Sequence, residues 1–186
     1  MIARTIWRRA AAPLRDETGT TLIETTIATA MMLVVMAGLM GMASIATSTT
    51  ENQGHLSART TEYAVDKMEQ MLELTYGDAQ SNTTVFPSVN AGGTGFVVGG
   101  SSDPAAPVVG YTDYLDGSGN ILCSVATACT ATPPTDWYYK RVWQISTPAA
   151  NLKQVTVTAI VRTSVARAML SQSTVSAYKT NCPSGC

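Results

Sequence analysis

The chain has 186 residues, a formal net charge of −1, a single histidine and four cysteines. This charge balance gives no sign of the basic patch that marks a nucleic-acid-binding surface. With a single histidine, neither a Ser-His-acid triad nor a histidine-based metal site is expected. The length beyond an N-terminal apolar segment fits a single modest domain.

The N-terminus combines a short basic segment with a long apolar one. Four arginines, Arg4, Arg8, Arg9 and Arg15, precede an uncharged stretch at residues 27–46. Twenty residues of helix at about 1.5 Å each span about 30 Å, the thickness of a bilayer's hydrocarbon core. Arginines that flank a spanning helix keep the N-terminus in the cytoplasm. Glu24 lies at the start of this segment, where a carboxylate costs about 2.5–3.5 kcal/mol and usually marks a function.

Gly19, Thr20, Leu22, Ile23 and Glu24 together resemble the processing site of type IV prepilins and of the pseudopilins of type II secretion. In that family a basic leader ends in Gly, a prepilin peptidase cuts after it and methylates the new amino group, and a Glu stands five residues into the mature chain. The resemblance implies a leader at residues 1–19, a cut between Gly19 and Thr20, and an assembly role for Glu24. The chain departs from the family in two places: at Thr20, where Phe is usual, and at Asp16 and Glu17, where a leader more often carries only basic residues.

The resemblance also implies how Glu24 acts in assembly. Cleavage leaves an α-amine on Thr20, whose reference pKa of about 8 keeps it protonated at neutral pH. Glu24 is costly in lipid or in a dry helix bundle unless it is paired, so the Thr20 ammonium of a neighbouring subunit is its expected partner. The alternative is that Glu24 lies among the lipid headgroups beside an ordinary signal anchor.

Helical periodicity continues beyond the apolar stretch. Apolar and small residues recur every three or four positions at Leu56, Thr60, Ala64, Met68, Met71, Leu72 and Thr75. Acidic residues do the same on the opposite face at Glu62, Asp66, Glu69 and Glu73. With Gly77 as a left-handed C-cap, the pattern predicts one helix over residues 20–76, transmembrane at about 22–46 and packed on a sheet thereafter.

The rest of the chain indicates a sheet. Residues 77–110, rich in Gly, Ser, Asn, Thr and Pro, predict a long connection with one short strand at 96–98. Further strands are predicted at residues 111–115, 121–125, 138–146 and 155–163, with a hairpin loop at 116–120 and a turn at 148–151. A long helix followed by an antiparallel meander is an α+β arrangement. The resemblance implies the type IV pilin fold, with an αβ-loop and sheet in a globular domain at 77–186.

The strand residues Tyr139, Arg141, Trp143 and Ile145, and the helix end at 68–76, are similar to those of the minor pilins that modify or prime type IV pili. Ordinary core strands of an antiparallel sheet in an unrelated protein would show the same alternation of aromatic and β-branched residues.

The cysteines all lie beyond the anchor, at Cys123, Cys129, Cys182 and Cys186. Outside the cytoplasm an even set without accompanying histidines indicates disulfides rather than metal ligands. Local pairs, Cys123 with Cys129 and Cys182 with Cys186, are predicted because each spans turn-forming residues. The resemblance implies that such a C-terminal loop is presented on the filament surface.

Other polar residues form no recognisable chemical site. Asp113, Asp116 and Asn120 could offer oxygens to calcium, but they lack the twelve-residue pattern and its final Glu, so a hairpin turn is predicted. His55 is expected to be solvated on the helix. We therefore expect no catalytic residues, no metal and no cofactor.

The resemblance implies a structural subunit, a minor pilin of a type IV pilus. Its expected partners are other pilin subunits, prepilin peptidase, the membrane and the inner-membrane assembly platform. It would cross the inner membrane once with a cytoplasmic N-terminus, and then lie in the pilus on the cell surface. The alternatives are a pseudopilin of a type II secretion or DNA-uptake system and, from another class, an extracytoplasmic binding module whose signal peptide ends at Ala46 or remains as an anchor.

Overall fold

The structure, a computed structural model, describes residues 21–90, 92–124, 126–127, 129–130, 132–162 and 171–181. It divides into an N-terminal unit, Met1–Thr47, and a C-terminal unit, Ser48–Cys186, which are described separately. Helix α1, Leu22–Glu73, contributes to both units. The described part of the chain then has seven strands: β1 Ser81–Asn82, β2 Val89–Asn90, β3 Gly99–Gly100, β4 Thr112–Leu115, β5 Tyr139–Ala149, β6 Leu152–Val161 and β7 Gln172–Thr180.

The start of α1 satisfies its own polar groups. The Thr21 carbonyl accepts hydrogen bonds from the backbone N–H groups of Glu24 (3.0 Å) and Thr25 (3.2 Å). The hydroxyls of Thr25 and Thr26 both donate to the Leu22 carbonyl, at 2.9 and 2.7 Å. Threonine is therefore tolerated next to an apolar segment, because a hydroxyl without a partner is costly to remove from water. The predicted leader, with Gly19 and Thr20, lies outside the described residues.

In the C-terminal unit, β3, β5, β6 and β7 form an antiparallel sheet in that order, with β4 also paired to β5. β1 and β2 form a separate pair. The turn between β5 and β6 is tight because Ala149 pairs with Leu152, and Asn151 has a φ of 57°. Asparagine reaches this left-handed conformation more readily than most residues. The predicted α+β architecture, a long apolar N-terminal helix and an antiparallel sheet, is thus confirmed.

Two predicted strands are wrong, and four of the described strands were not predicted. At 121–124, the described part of this range, only Ile121 forms a bridge, to Leu115, and Cys123 lies in a small separate core with its disulfide partner Cys129. At 96–98 the chain turns before the short strand β3. The strands predicted at 111–115, 138–146 and 155–163 correspond to β4, β5 and β6. The unpredicted strands are the two-residue strands β1, β2 and β3 and the longer β7.

The core lies between α1 and one face of the sheet. The buried residues of α1 are Thr60, Tyr63, Ala64, Lys67, Met68 and Met71. They pack against sheet residues that include Trp143, Ile145, Val155, Val157, Ala159 and Val161. The four acidic residues predicted for the opposite face are all exposed, so that assignment is confirmed. The buried face of α1 is wider than predicted, because it also includes Tyr63 and Lys67. Thr75 was predicted to belong to this face but is exposed.

The helix ends at Glu73, three residues before the predicted end, and Gly77 is not in the left-handed conformation. Lysines from the sheet cap it instead. Lys179 Nζ donates to the carbonyls of Leu72 (2.5 Å) and Leu74, and Lys153 Nζ donates to the Tyr76 carbonyl (2.8 Å). Positive charge is favourable at the carbonyl end of a helix, so these two cross-strand neighbours replace a glycine cap.

Candidate functional site

The N-terminal unit presents a continuous apolar surface. Its large hydrophobic residues, from Leu22 to Ile45, are 47% to 85% exposed. An 18-residue window of α1 has a mean hydropathy of 1.9, and none of that window is buried. By length and composition the helix is apolar enough to be a membrane anchor or a signal sequence. The one acidic residue of its first turn is Glu24.

The helix cannot by itself offset the cost of placing Glu24 in lipid. A negative charge in the first turn gains about 0.3–1 kcal/mol from the helix dipole. A charge inside a membrane helix costs about 2.5–3.5 kcal/mol on insertion scales, which is several times more. In an apolar environment the carboxylate therefore needs a cation from outside the helix. Thr20, the predicted source of that cation, lies outside the described residues.

The C-terminal unit contains a buried charge cluster of Lys67, Asp113 and Arg141. Lys67 comes from α1, and Asp113 and Arg141 are cross-strand partners on β4 and β5. Asp113 Oδ2 accepts from Lys67 Nζ at 2.8 Å, and Arg141 donates to both carboxylate oxygens, at 2.7 Å from Nε and 2.8 Å from Nη2. The three side chains are at most 3% exposed. The cluster ties helix α1 to strands β4 and β5.

Two cations share one carboxylate in this cluster, and the pKa values of Lys67 and Asp113 reflect this arrangement. Burial is the main cause that lowers the pKa of Lys67 from 10.5 to about 8; Arg141 lowers it further, while Asp113 opposes the shift. Burial alone would raise the pKa of Asp113, but Arg141 and Lys67 hold it below its ordinary value. Asp113 is therefore ionised at neutral pH.

Lys67 also connects the helix to the loop that follows it. Its ammonium donates to the Thr83 carbonyl and lies 4.3 Å from the centre of the Trp143 ring. Arg141 Nη1 donates to the carbonyl of Tyr63 at 3.4 Å. Each side-chain nitrogen of Lys67 and Arg141 donates to a protein acceptor, so these contacts support a structural role.

A pH dependence of stability follows from Lys67. Its folded pKa lies below the unfolded value, so between pH values of about 8 and 10.5 the unfolded chain binds the extra proton. The free energy of unfolding should therefore rise with pH in that window, by up to about 3 kcal/mol. Urea titrations of the full chain in detergent micelles, followed by tryptophan fluorescence, would measure it. Lys67→Met should make the rise smaller but not abolish it, because burial also lowers the pKa values of Lys140, Lys153 and Lys179. Equal slopes for both proteins would contradict the assignment.

The hairpin loop after β4 is built as a turn, not as a cation site. The Asp116 carboxylate accepts from the backbone N–H groups of Ser118 and Asn120 and from the Asn120 side chain. Asp113 points instead into the core, so the three residues considered for calcium do not converge. Among the described residues, no group of three or more His, Cys, Asp or Glu side chains could hold a metal.

Beside this loop, Cys123 and Cys129 form a disulfide with their Cα atoms 5.1 Å apart. Both cysteines are buried in a small second core with Tyr114, against Trp137. Cys182 and Cys186 lie outside the described residues, so their pairing stays a prediction. His55 is exposed on α1, as expected.

In comparisons with models of known families, with curated proteins and with solved structures, nothing matches this chain. The resemblance to prepilins therefore rests on the residues around Gly19 and Glu24 and on the strand pattern.

Sequence reasoning missed the charge cluster. One signal was present, since Lys67 interrupts the apolar face of α1 between Ala64 and Met68. A lysine there needs a buried anion, because a buried charge without a partner is strongly unfavourable. Arg141, at an inward-facing position of β5, was the second signal.

Proposed function

We propose that the protein is a structural subunit, a minor pilin, of a type IV pilus, cut by a prepilin peptidase between Gly19 and Thr20. One observation carries the proposal. The apolar half of α1 is exposed along its whole length, and its first turn holds a single carboxylate, Glu24, directly after the processing motif.

An exposed apolar helix of this length needs a bilayer or other helices to cover it, because its surface is unfavourable in water. A filament subunit uses both in turn. Before assembly it lies in the inner membrane as a single-pass protein, and on assembly its helix packs against the helices of neighbouring subunits. Transfer from lipid into a helix bundle keeps the apolar surface dry throughout.

Glu24 would set the axial register between neighbouring subunits after that transfer. In the bundle the Thr20 ammonium of one subunit would pair with Glu24 of the next, and each pairing sets the axial step between them. Breaking a buried pair by removing one partner costs about 3–5 kcal/mol, enough to select one register over another. Without such a pair, the free energies of the alternative axial positions of an apolar helix would differ much less.

The C-terminal unit suits a place outside the cytoplasm. Its disulfide between Cys123 and Cys129 is a feature of oxidising compartments. The four arginines before the apolar segment favour the same orientation, with the N-terminus inside and the sheet outside.

Sequencing of the mature N-terminus tests the proposal. We expect the mature chain to begin at N-methylated Thr20 when the protein is made together with a prepilin peptidase, and to keep the leader without one. A Gly19→Glu variant serves as the matched control and should remain uncut in both cases, because the cleavage motif loses its Gly. A chain that begins at Thr47 would establish an ordinary signal peptide and overturn the proposal.

A further inference from the structure

A groove of about 780 Å³ crosses the C-terminal unit. Helix α1 forms one side, and the other sides come from the β1–β2 loop and from the hairpin loop after β4. Phe86 and Pro87 line it from the first loop and Ile121 from the second. The Phe86 side chain is 62% exposed, so the groove offers an apolar contact that the unit itself leaves open.

Three carboxylates line the same groove along α1: Asp66, Glu69 and Glu73. Their spacing of three and four residues places them in one row. All three are exposed, and none of them makes an ion pair with another described residue. The groove therefore combines an apolar wall with a row of unmatched negative charges.

Among the residues that the structure describes in this unit, no free cation is left to neutralise that row. Each lysine and arginine that the structure describes here already binds an acceptor of the same unit. Arg59 pairs with Glu62, and Lys67 and Arg141 belong to the buried cluster. Backbone carbonyl groups accept hydrogen bonds from the other four, namely Lys140, Lys153, Arg162 and Lys179. The described part of a second copy would bring the same engaged cations and the same acidic row, so its charges match the groove poorly.

We propose that the groove is the docking surface for a segment of a different protein that carries a lysine or arginine beside an apolar side chain. The cation would lie along Glu69 and Glu73, and the apolar side chain would pack against Phe86 and Ile121. An exposed ion pair contributes only about 0.2–1 kcal/mol, so the apolar contact must supply much of the affinity. The charges then select the partner, since electrostatic complementarity governs specificity and association rate. The inference uses the C-terminal unit alone and does not rest on the pilus proposal.

Binding of short peptides to the full chain in zwitterionic detergent micelles tests the inference. The probe is a capped, fluorescein-labelled peptide of alternating lysine and leucine, followed by fluorescence anisotropy, with empty micelles as background. We expect Glu69→Gln with Glu73→Gln to weaken binding at least about tenfold. The matched control, Glu51→Gln with Asp136→Asn, makes the same charge change at exposed positions outside the groove and should change affinity by less than about twofold.

A second arm tests the apolar wall. Phe86→Ser should weaken binding of the lysine–leucine peptide and leave binding of a lysine–serine peptide unchanged, since only the leucine needs the ring. Equal losses for the groove variant and the control variant would reduce the effect to net charge and overturn the inference. So would binding no stronger than to empty micelles, or self-association of the protein that depends on Glu69 and Glu73, which would make a second copy the occupant.

Discussion

Asp113→Asn is expected to lower the free energy of unfolding of the C-terminal unit by about 3–5 kcal/mol. The carboxylate is the only anion of the buried cluster, and it accepts from both Lys67 and Arg141. An asparagine keeps the shape but removes the charge, which leaves two cations together in the core. The net stability of a domain is about 5–15 kcal/mol, so this variant would be close to unfolding. Urea unfolding of the full chain in micelles, followed by tryptophan fluorescence, measures the change.

Lys67→Met is the matched comparison for Asp113→Asn. It leaves one buried cation with one buried anion, Arg141 with Asp113, and it fills the lysine's space with an unbranched apolar chain. The variant loses the hydrogen bond to the Thr83 carbonyl, which is worth about 1 kcal/mol. We therefore expect a cost several-fold smaller than that of Asp113→Asn at neutral pH. Equal costs would show that charge balance does not govern the cluster.

Glu24→Ala is expected to leave membrane insertion and cleavage intact and to reduce the protein in sheared surface fractions by at least about tenfold. The substitution removes a cost in lipid, so insertion should not suffer. It also removes the proposed partner of the neighbouring Thr20 ammonium, which would then be buried without a counter-charge in the filament core. Quantitative immunoblots of the sheared and membrane fractions give the ratio of assembled to unassembled protein.

Glu51→Ala provides the control for this experiment. Glu51 is an exposed carboxylate on the same helix, beyond the apolar segment, so its loss should leave the sheared fraction unchanged. Wild-type amounts of Glu24→Ala in the sheared fraction would show that the carboxylate has no register role. Loss of the variant from the membrane fraction would instead point to a defect in insertion.

Local periodicity was sufficient for several parts of the fold. The apolar stretch at 27–46, the acidic row from Glu62 to Glu73 and the alternation in β5 and β6 were all predicted, because each pattern repeats within one element. A helix repeats every 3.6 residues and a strand every two, so these signals need no knowledge of distant residues. Strand β7 could not be predicted from local periodicity. Its inward side chains include Ser173, Val175 and Ala177, which are too small and polar for a clear pattern, and its pairing with β6 positions it.

By itself the sequence determined the apolar helix, its single early carboxylate, the helix face and the strands β4, β5 and β6. Only the tertiary structure decided the charge cluster, because Tyr63, Lys67, Asp113 and Arg141 come from three elements and meet only when the helix packs on the sheet. The capping of α1 by Lys153 and Lys179 was decided in the same way. A buried charge is stable only beside its partner, and the distance between partners far apart in the chain is a property of the fold.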